Sequence, residues 1–143
     1  MSPTSTLPEW FARAIEALKA GDIDGYMEIY APDAVHEFPF APEGAIRRLA
    51  GRDAIAAYMR QLPGRIRFGS LGDVRVREVG DELIIEATGH HRRIPDDAPR
   101  DLSYVWFITR RDGQVAHFRD YMNPLQLPAR QRRAPTRAYA RSN

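Results

Sequence analysis

The hydrophobic period of this chain changes at Pro63, and that change limits the folds open to it. Before it, apolar residues recur at three- and four-residue spacing. After it, β-branched and aromatic residues come in runs separated by short turn sequences. "TLPEWFARAIEALKAGD" reads as a helix: Thr6 and Glu9 have capping-box spacing and Pro8 suits the first turn. Trp10, Ala14, Ile15 and Leu18 supply its apolar stripe, which ends near Gly21. "DIDGYMEIY" reads as a short second helix with Tyr26, Ile29 and Tyr30 on one side. "RDAIAAYMRQL" reads as a third, with Ile55, Tyr58, Met59 and Leu62 facing inward. Between these two, "AVHEFPF" reads as a short strand that Pro39 ends or confines to an edge.

Beyond Pro63, "RIRFGSLG", "DVRVREVG", "ELIIEATGHHRRI", "DLSYVWFITRR" and "QVAHFRDYMN" read as strands, with "GDE", "PDDAPR" and "RDGQ" as turns between them. Helices grouped before strands predict an α+β fold, with three N-terminal helices packed on one face of a curved antiparallel or mixed sheet. Such a cone-shaped barrel leaves a cavity between the layers, where a site would lie.

Composition narrows the function classes. The 143 residues suffice for one domain with a substantial core, and 43% hydrophobic with 28% charged residues is ordinary for a globular protein. Cysteine is absent, which excludes disulfides, thiolate catalysis and sulfur-ligated zinc. No apolar run reaches the ~20 residues of a membrane span and no signal-like segment opens the chain, so a cytoplasmic location is the expectation. The pI near 9.2 does not indicate nucleic acid. Residues 127–143 carry Arg130, Arg132, Arg133, Arg137 and Arg141 and no acid; the body keeps 16 basic against 19 acidic residues, a net −3. We therefore expect a domain over 1–127 and a basic tail over 128–143, either a solvated extension or an arm on a neighbouring subunit. A single aromatic, Tyr139, accompanies the arginines, too few for a stacking platform, so neither DNA nor RNA is expected as a partner.

The last strand raises the chemical question. Val115, His117, Arg119, Tyr121 and Asn123 alternate as a mixed polar face, and Ala116, Phe118, Asp120 and Met122 as the other. A carboxylate in an apolar row is costly unless it is paired, hydrated or used for proton transfer. Two readings stand: an acid/base group, or a structural carboxylate paired with an arginine such as Arg92 or turned outward by a bulge. "GHHRR" does not make a metal site, because His90 and His91 point to opposite faces of a strand. Alternation from Leu83, Ile85 and Ala87 aims His91 at the cavity, and a bulge at Gly89 would aim His90 there instead. His36 alternates with Phe38 and Phe40 and fits either the core or the rim. Tyr26, Tyr30 and Tyr58 lie on inward helix stripes, where a phenol either hydrogen-bonds a ligand or serves as a core aromatic. Tyr104 and Trp106 share a face and read as wall for a flat or cyclic ligand. No glycine-rich phosphate loop, Ser-His-Asp arrangement or nicotinamide fingerprint is present, so no metal and no cofactor is expected.

The element order, "YAPDAV", "AGRDAIAAYM" and the closing "DGQVAHFRDYMNP" together resemble the nuclear transport factor 2-like superfamily, and within it the SnoaL-like branch of small bacterial cyclases and isomerases. The resemblance covers about residues 8 to 127. "TGHHRRIP" and "FRDYMNP" look most like the phenazine-biosynthesis A/B proteins, which use a glutamate at the position of Asp120 as an acid/base. Their third-helix histidine falls at Tyr58 and their serine one turn later at Leu62. The base of ketosteroid isomerase falls at Phe38, and the Arg-x-Asp pair of the fold's epoxide hydrolases has no counterpart in "EATGHH".

The resemblance implies a cyclase or isomerase of secondary metabolism, of the antibiotic- or polyketide-forming kind, acting on a hydrophobic carbonyl compound. It also implies a homodimer, since this fold commonly pairs its sheets. Asp120, His90 or His91, and Tyr58 are the catalytic candidates, with Tyr26, Tyr30, Phe38, Tyr104, Trp106, Phe118 and Met122 as substrate contacts. A cyclase that mainly shapes its substrate for ring closure is a variant of this reading. A non-catalytic binding or scaffold domain of the same fold is the rival.

Overall fold

The computed structural model describes residues 4–127; the expected basic tail lies outside the described residues. The elements run α1 (Glu9–Lys19), α2 (Ile23–Met27), β1 (Tyr30–Glu37), β2 (Arg48–Ala50), α3 (Arg52–Met59), β3 (Ile66–Arg67), β4 (Leu71–Val79), β5 (Glu82–Arg93), β6 (Pro99–Arg111) and β7 (Gln114–Met122). Short 3₁₀ turns follow α3 and β7. This is the α+β order expected, with helices on one side of a single mixed sheet ordered β2-β1-β7-β6-β5-β3, and with β4 also paired to β5. All pairs are antiparallel except β1 with β7, so the first long strand lies parallel beside the last.

Several local expectations give way to tertiary structure. α1 starts directly after Pro8 with no side-chain cap, so the Thr6–Glu9 capping box does not form. Phe11 and Ala14 carry its buried face, flanked by the half-buried Trp10, Ile15 and Leu18. α2 ends before Tyr30, which instead opens β1 and is completely buried. β2 was not expected from sequence; it pairs with the end of β1, from Val35 to Glu37.

A bulge decides which residues of β7 face inward. His117 pairs with Thr109, but Val115 pairs with Arg110, which leaves one extra residue between them on β7. The apolar row therefore holds Val115 rather than Ala116. Val115 is fully buried, as is Phe118, and the alternation continues unbroken to Asp120 and Met122. The core comprises Phe11, Tyr30, Ile55, Ile85, Ile108 and Val115, each essentially without solvent contact. Phe11 brings α1 down edge-on over the sheet, its ring 5.7 Å from Trp106 and 6.4 Å from Phe118.

Because Ile85 is 0% exposed in the middle of β5, its truncation leaves a void that the sheet cannot close. Ile85→Ala is expected to lower unfolding free energy by roughly 2–5 kcal/mol, read from urea denaturation, against about 1 kcal/mol for Ile85→Val.

Candidate active site

β6 and β7 form the cavity floor. In their register Trp106 lies directly opposite Asp120, and its Nε1–H donates to Asp120 Oδ1 at 3.0 Å. On the other side of β7, β1 sets His36 beside Phe118, and the two rings stack with centroids 4.4 Å apart. His36 Nε2 thereby stands 3.6 Å from Asp120 Oδ2. That is an electrostatic contact rather than a hydrogen bond, and Nε2 has no hydrogen-bond partner among the described residues. Arg92 is not involved: it pairs with Asp97, at 3.4 Å. Among the described residues Asp120 therefore has no arginine partner; its side chain is 18% exposed and set between an indole N–H and an imidazole.

Behind His36 runs a chain of phenols. His36 Nδ1 lies 3.0 Å from Tyr30 Oη, which lies 2.8 Å from Tyr26 Oη. An ionised Asp120 favours the tautomer with the proton on Nε2, because a bare Nε2 would set its lone pair against the carboxylate. Nδ1 then accepts from Tyr30, and Tyr30 accepts from Tyr26, so both phenol hydrogens are committed within the chain. Burial raises the pKa of both phenols, and the nearby Asp120 charge adds to the rise.

A second polar pair is built on β5 and β6. His91, 3% exposed, accepts the Gly69 backbone N–H at Nδ1 (3.0 Å) and meets Tyr104 Oη at Nε2 (2.9 Å). A backbone N–H can only donate, so Nδ1 is the acceptor and the proton sits on Nε2. Burial lowers the His91 pKa to about 4, partly opposed by Asp101 and helped by His90. Burial raises the Tyr104 phenol, with further contributions from Asp120 and Tyr58. Tyr58 is also raised, by burial and by Asp120, with Arg65 opposing.

The cavity between these walls measures about 180 Å³. Of the residues singled out from sequence, Asp120, His91 and Tyr58 line it, as do Tyr26, Phe38, Tyr104, Trp106, Phe118 and Met122. Two do not. Tyr30 sits behind His36 in the core, because α2 ends at Met27, three residues short of the expected stripe, and Tyr30 opens β1. His90 is on the outer face of β5 beside Asp101, 3.1 Å away, because the pairing with β6 runs through Gly89 without a bulge.

His36, which by alternation fits either core or rim, is the inward neighbour of Asp120. Alternation with Phe38 hinted at its direction, but no local signal places β1 parallel to β7. On the opposite face of β7, His117 bonds Glu37, and Arg119 contacts Glu82 and lies over the Phe107 ring. Among the described residues, no group of three or more His, Asp or Glu side chains is placed to hold a metal ion, and no helix is long and apolar enough to cross a membrane.

Residues 11–118 match the model of the SnoaL-like domain, and the chain belongs to that family, within the nuclear transport factor 2-like superfamily. Its relatives include the YesE protein of Bacillus subtilis, 34% identical over 122 residues, which span 84% of this chain and 80% of that protein. A PhzA/B-like protein of Pseudomonas aeruginosa is 32% identical over 122 residues, 82% of this chain and 84% of the relative. Among solved structures, a Bacillus subtilis protein provisionally named an isomerase superposes with a TM-score of 0.77 at 32% identity, over 82% of this chain and 86% of its own. A Pseudomonas putida protein provisionally named a polyketide cyclase superposes at 0.66 over 80% and 90% of the two chains; at 23% identity it attests the fold alone.

His91 also sets an acid limit. The unfolded chain binds a proton at this residue near pH 6.5 and the folded protein only near 4, so between these values the unfolded state holds more protons. The stability present above pH 6.5 is thus lost as pH falls toward 4, by up to ~2–3 kcal/mol from this group. Chemical denaturation at pH 7, 5.5 and 4.5 should show this decline, and His91→Gln should flatten it.

Proposed function

We propose that this chain is a cofactor-independent enzyme that moves a proton on a small, hydrophobic, carbonyl-bearing substrate, in an isomerisation or cyclisation of secondary metabolism. One observation carries the reading: Asp120 lies in an aromatic cavity, oriented by the Trp106 N–H and faced by His36, with no arginine among the described residues to neutralise it. A purely structural carboxylate in this position would be expected to have such a partner.

Each oxygen of Asp120 keeps a lone pair free of the indole and imidazole contacts. The carboxylate takes a proton from the carbon next to the substrate carbonyl, and the C–H bonding pair moves into the enolate. Returning that proton to a different carbon completes an isomerisation. Attack of the enolate carbon on a second carbonyl of the same molecule forms a C–C bond instead, and the Asp120 proton passes to the new alkoxide. Trp106 and His36 hold the carboxylate plane throughout, and the aromatic walls exclude water. A substrate of polyketide type and a homodimeric assembly belong to this same reading, drawn from the family likeness. The rival, a binding domain without chemistry, needs the cavity but not the free carboxylate.

Deuterium exchange tests proton transfer without knowledge of the natural substrate. In D₂O, wild-type protein should accelerate exchange at the acidic carbon of cyclic enones and 1,3-diketones, followed by NMR. Asp120→Asn should lose about 10²–10⁴-fold of that rate while still folding. Equal rates in both proteins would move the reading to shape-templated ring closure or to binding alone. Trp106→Phe, which removes only the indole donor, should reduce the rate by roughly tenfold.

A further inference from the structure

Three tyrosines line the cavity and a fourth, Tyr30, stands behind it, and their hydrogen-bonding capacity is unequal. Tyr26 and Tyr30 have their hydrogens committed along the chain to His36. Tyr104 differs, because its hydroxyl oxygen accepts from His91 Nε2 and its own hydrogen has no acceptor among the described residues. The direction of that bond is not free to reverse. The Gly69 N–H donates to His91 Nδ1, which fixes the imidazole proton on Nε2 and so makes Tyr104 the acceptor. A buried phenol with an unspent donor is costly unless something in the cavity accepts from it.

Gly89 is what permits this arrangement. It lies on the same strand face as His91, and a Cβ there would come within 2.1 Å of His91 Nε2 and 2.9 Å of the Tyr104 ring. The imidazole leans over the space a side chain would occupy in order to reach the phenol. The polar inventory of the buried wall is then complementary: an unspent donor at Tyr104 and an unspent acceptor at Asp120. Tyr58, whose phenol feels the same Asp120 charge, has no hydrogen-bond partner among the described residues and can supply a second donor. The volume of about 180 Å³ slightly exceeds the ~150 Å³ that admits a benzene ring. The Asp120 charge disfavours a ligand anion at that depth.

We infer that Tyr104, held by His91 over Gly89, donates to the carbonyl oxygen of the ligand, so that the cavity selects uncharged single-ring carbonyl compounds with an acidic C–H turned toward Asp120. The inference rests on the acid/base reading above and supplies its electrophilic half: the phenol stabilises the oxygen on which enolate charge collects. Tyr104 touches the ligand. His91 and Gly89 act through it, as positioning residues.

The test uses 2-cyclohexen-1-one as the probe, with affinity followed by tryptophan fluorescence and hydrogen bonding by the infrared carbonyl stretch of the bound probe. Wild-type protein should bind it and lower the stretching frequency. Tyr104→Phe should abolish most of that shift and weaken binding by about tenfold. His91→Gln can accept from Gly69 and donate to Tyr104, so it should keep the shift, whereas His91→Leu and Gly89→Ala should lose it. A merely structural role would alter stability without this ordering. Absence of binding, an unshifted carbonyl in the wild type, or an equal shift in Tyr104→Phe would overturn the inference. If Tyr104→Phe does not fold, the contrast between His91→Gln and His91→Leu decides. Asp120→Asn should retain the shift, which separates the two proposals: equal exchange rates in wild type and Asp120→Asn with a Tyr104-dependent shift intact would refute only the proton-transfer reading.

Discussion

The parallel pairing of β1 with β7 is the constraint on which the rest of this molecule depends. An antiparallel sheet could be assembled from β4 to β7 alone, since each pairs with a neighbour in sequence. The insertion of β1 beside β7 builds the helical half of the chain into that sheet, with a smaller bridge from Thr4 to Val76 on β4. Tyr30 then packs beneath His36, and α1 lowers Phe11 over Trp106 and Phe118. The same pairing puts His36 against Phe118 and within 3.6 Å of Asp120. Loss of β1 from the sheet would remove both the lid over the core and one of the two groups facing the carboxylate.

The cavity is a product of incomplete packing between layers, and its polar groups are held from behind. Trp106 reaches Asp120 across a direct strand pair, so the hydrogen bond is set by sheet register rather than by a flexible loop. His91 is held in the same manner through Gly69 and Tyr104. Such support from rigid elements is what proton transfer and carbonyl polarisation require, because small displacements of the reacting groups are costly. The two halves use histidine differently. His36 faces a carboxylate, whereas His91 is kept neutral by burial and by a backbone donor at Nδ1.

Family membership and site geometry contribute different things. The SnoaL-like match accounts for the helix-and-sheet cone and for the presence of a cavity. It does not choose a reaction, because the fold supports many. Tyr58 reaches the cavity from α3, while His36 and His91 approach it from β1 and β5. The chemistry drawn for this chain accordingly rests on its own contacts.

Local patterning carries the α+β order, the shared strand face of Asp120 and Phe118, and the opposite facing of His90 and His91. These follow from periods of 3.6 and 2.0 residues, which depend only on local backbone geometry. Tertiary structure alone decided the rest. The bulge that exchanged Ala116 for Val115 arises where the β6–β7 register must adapt to the pairing of β7 with β1. The start of β1 at Tyr30 reflects burial beneath His36, which overrides the helical stripe seen locally. His36 joined Asp120 through a contact between residues 84 positions apart, and no periodicity carries that information. Alternation reports which face a side chain takes, but not which distant strand will lie beside it. For that reason the carboxylate was legible in the sequence and its histidine was not.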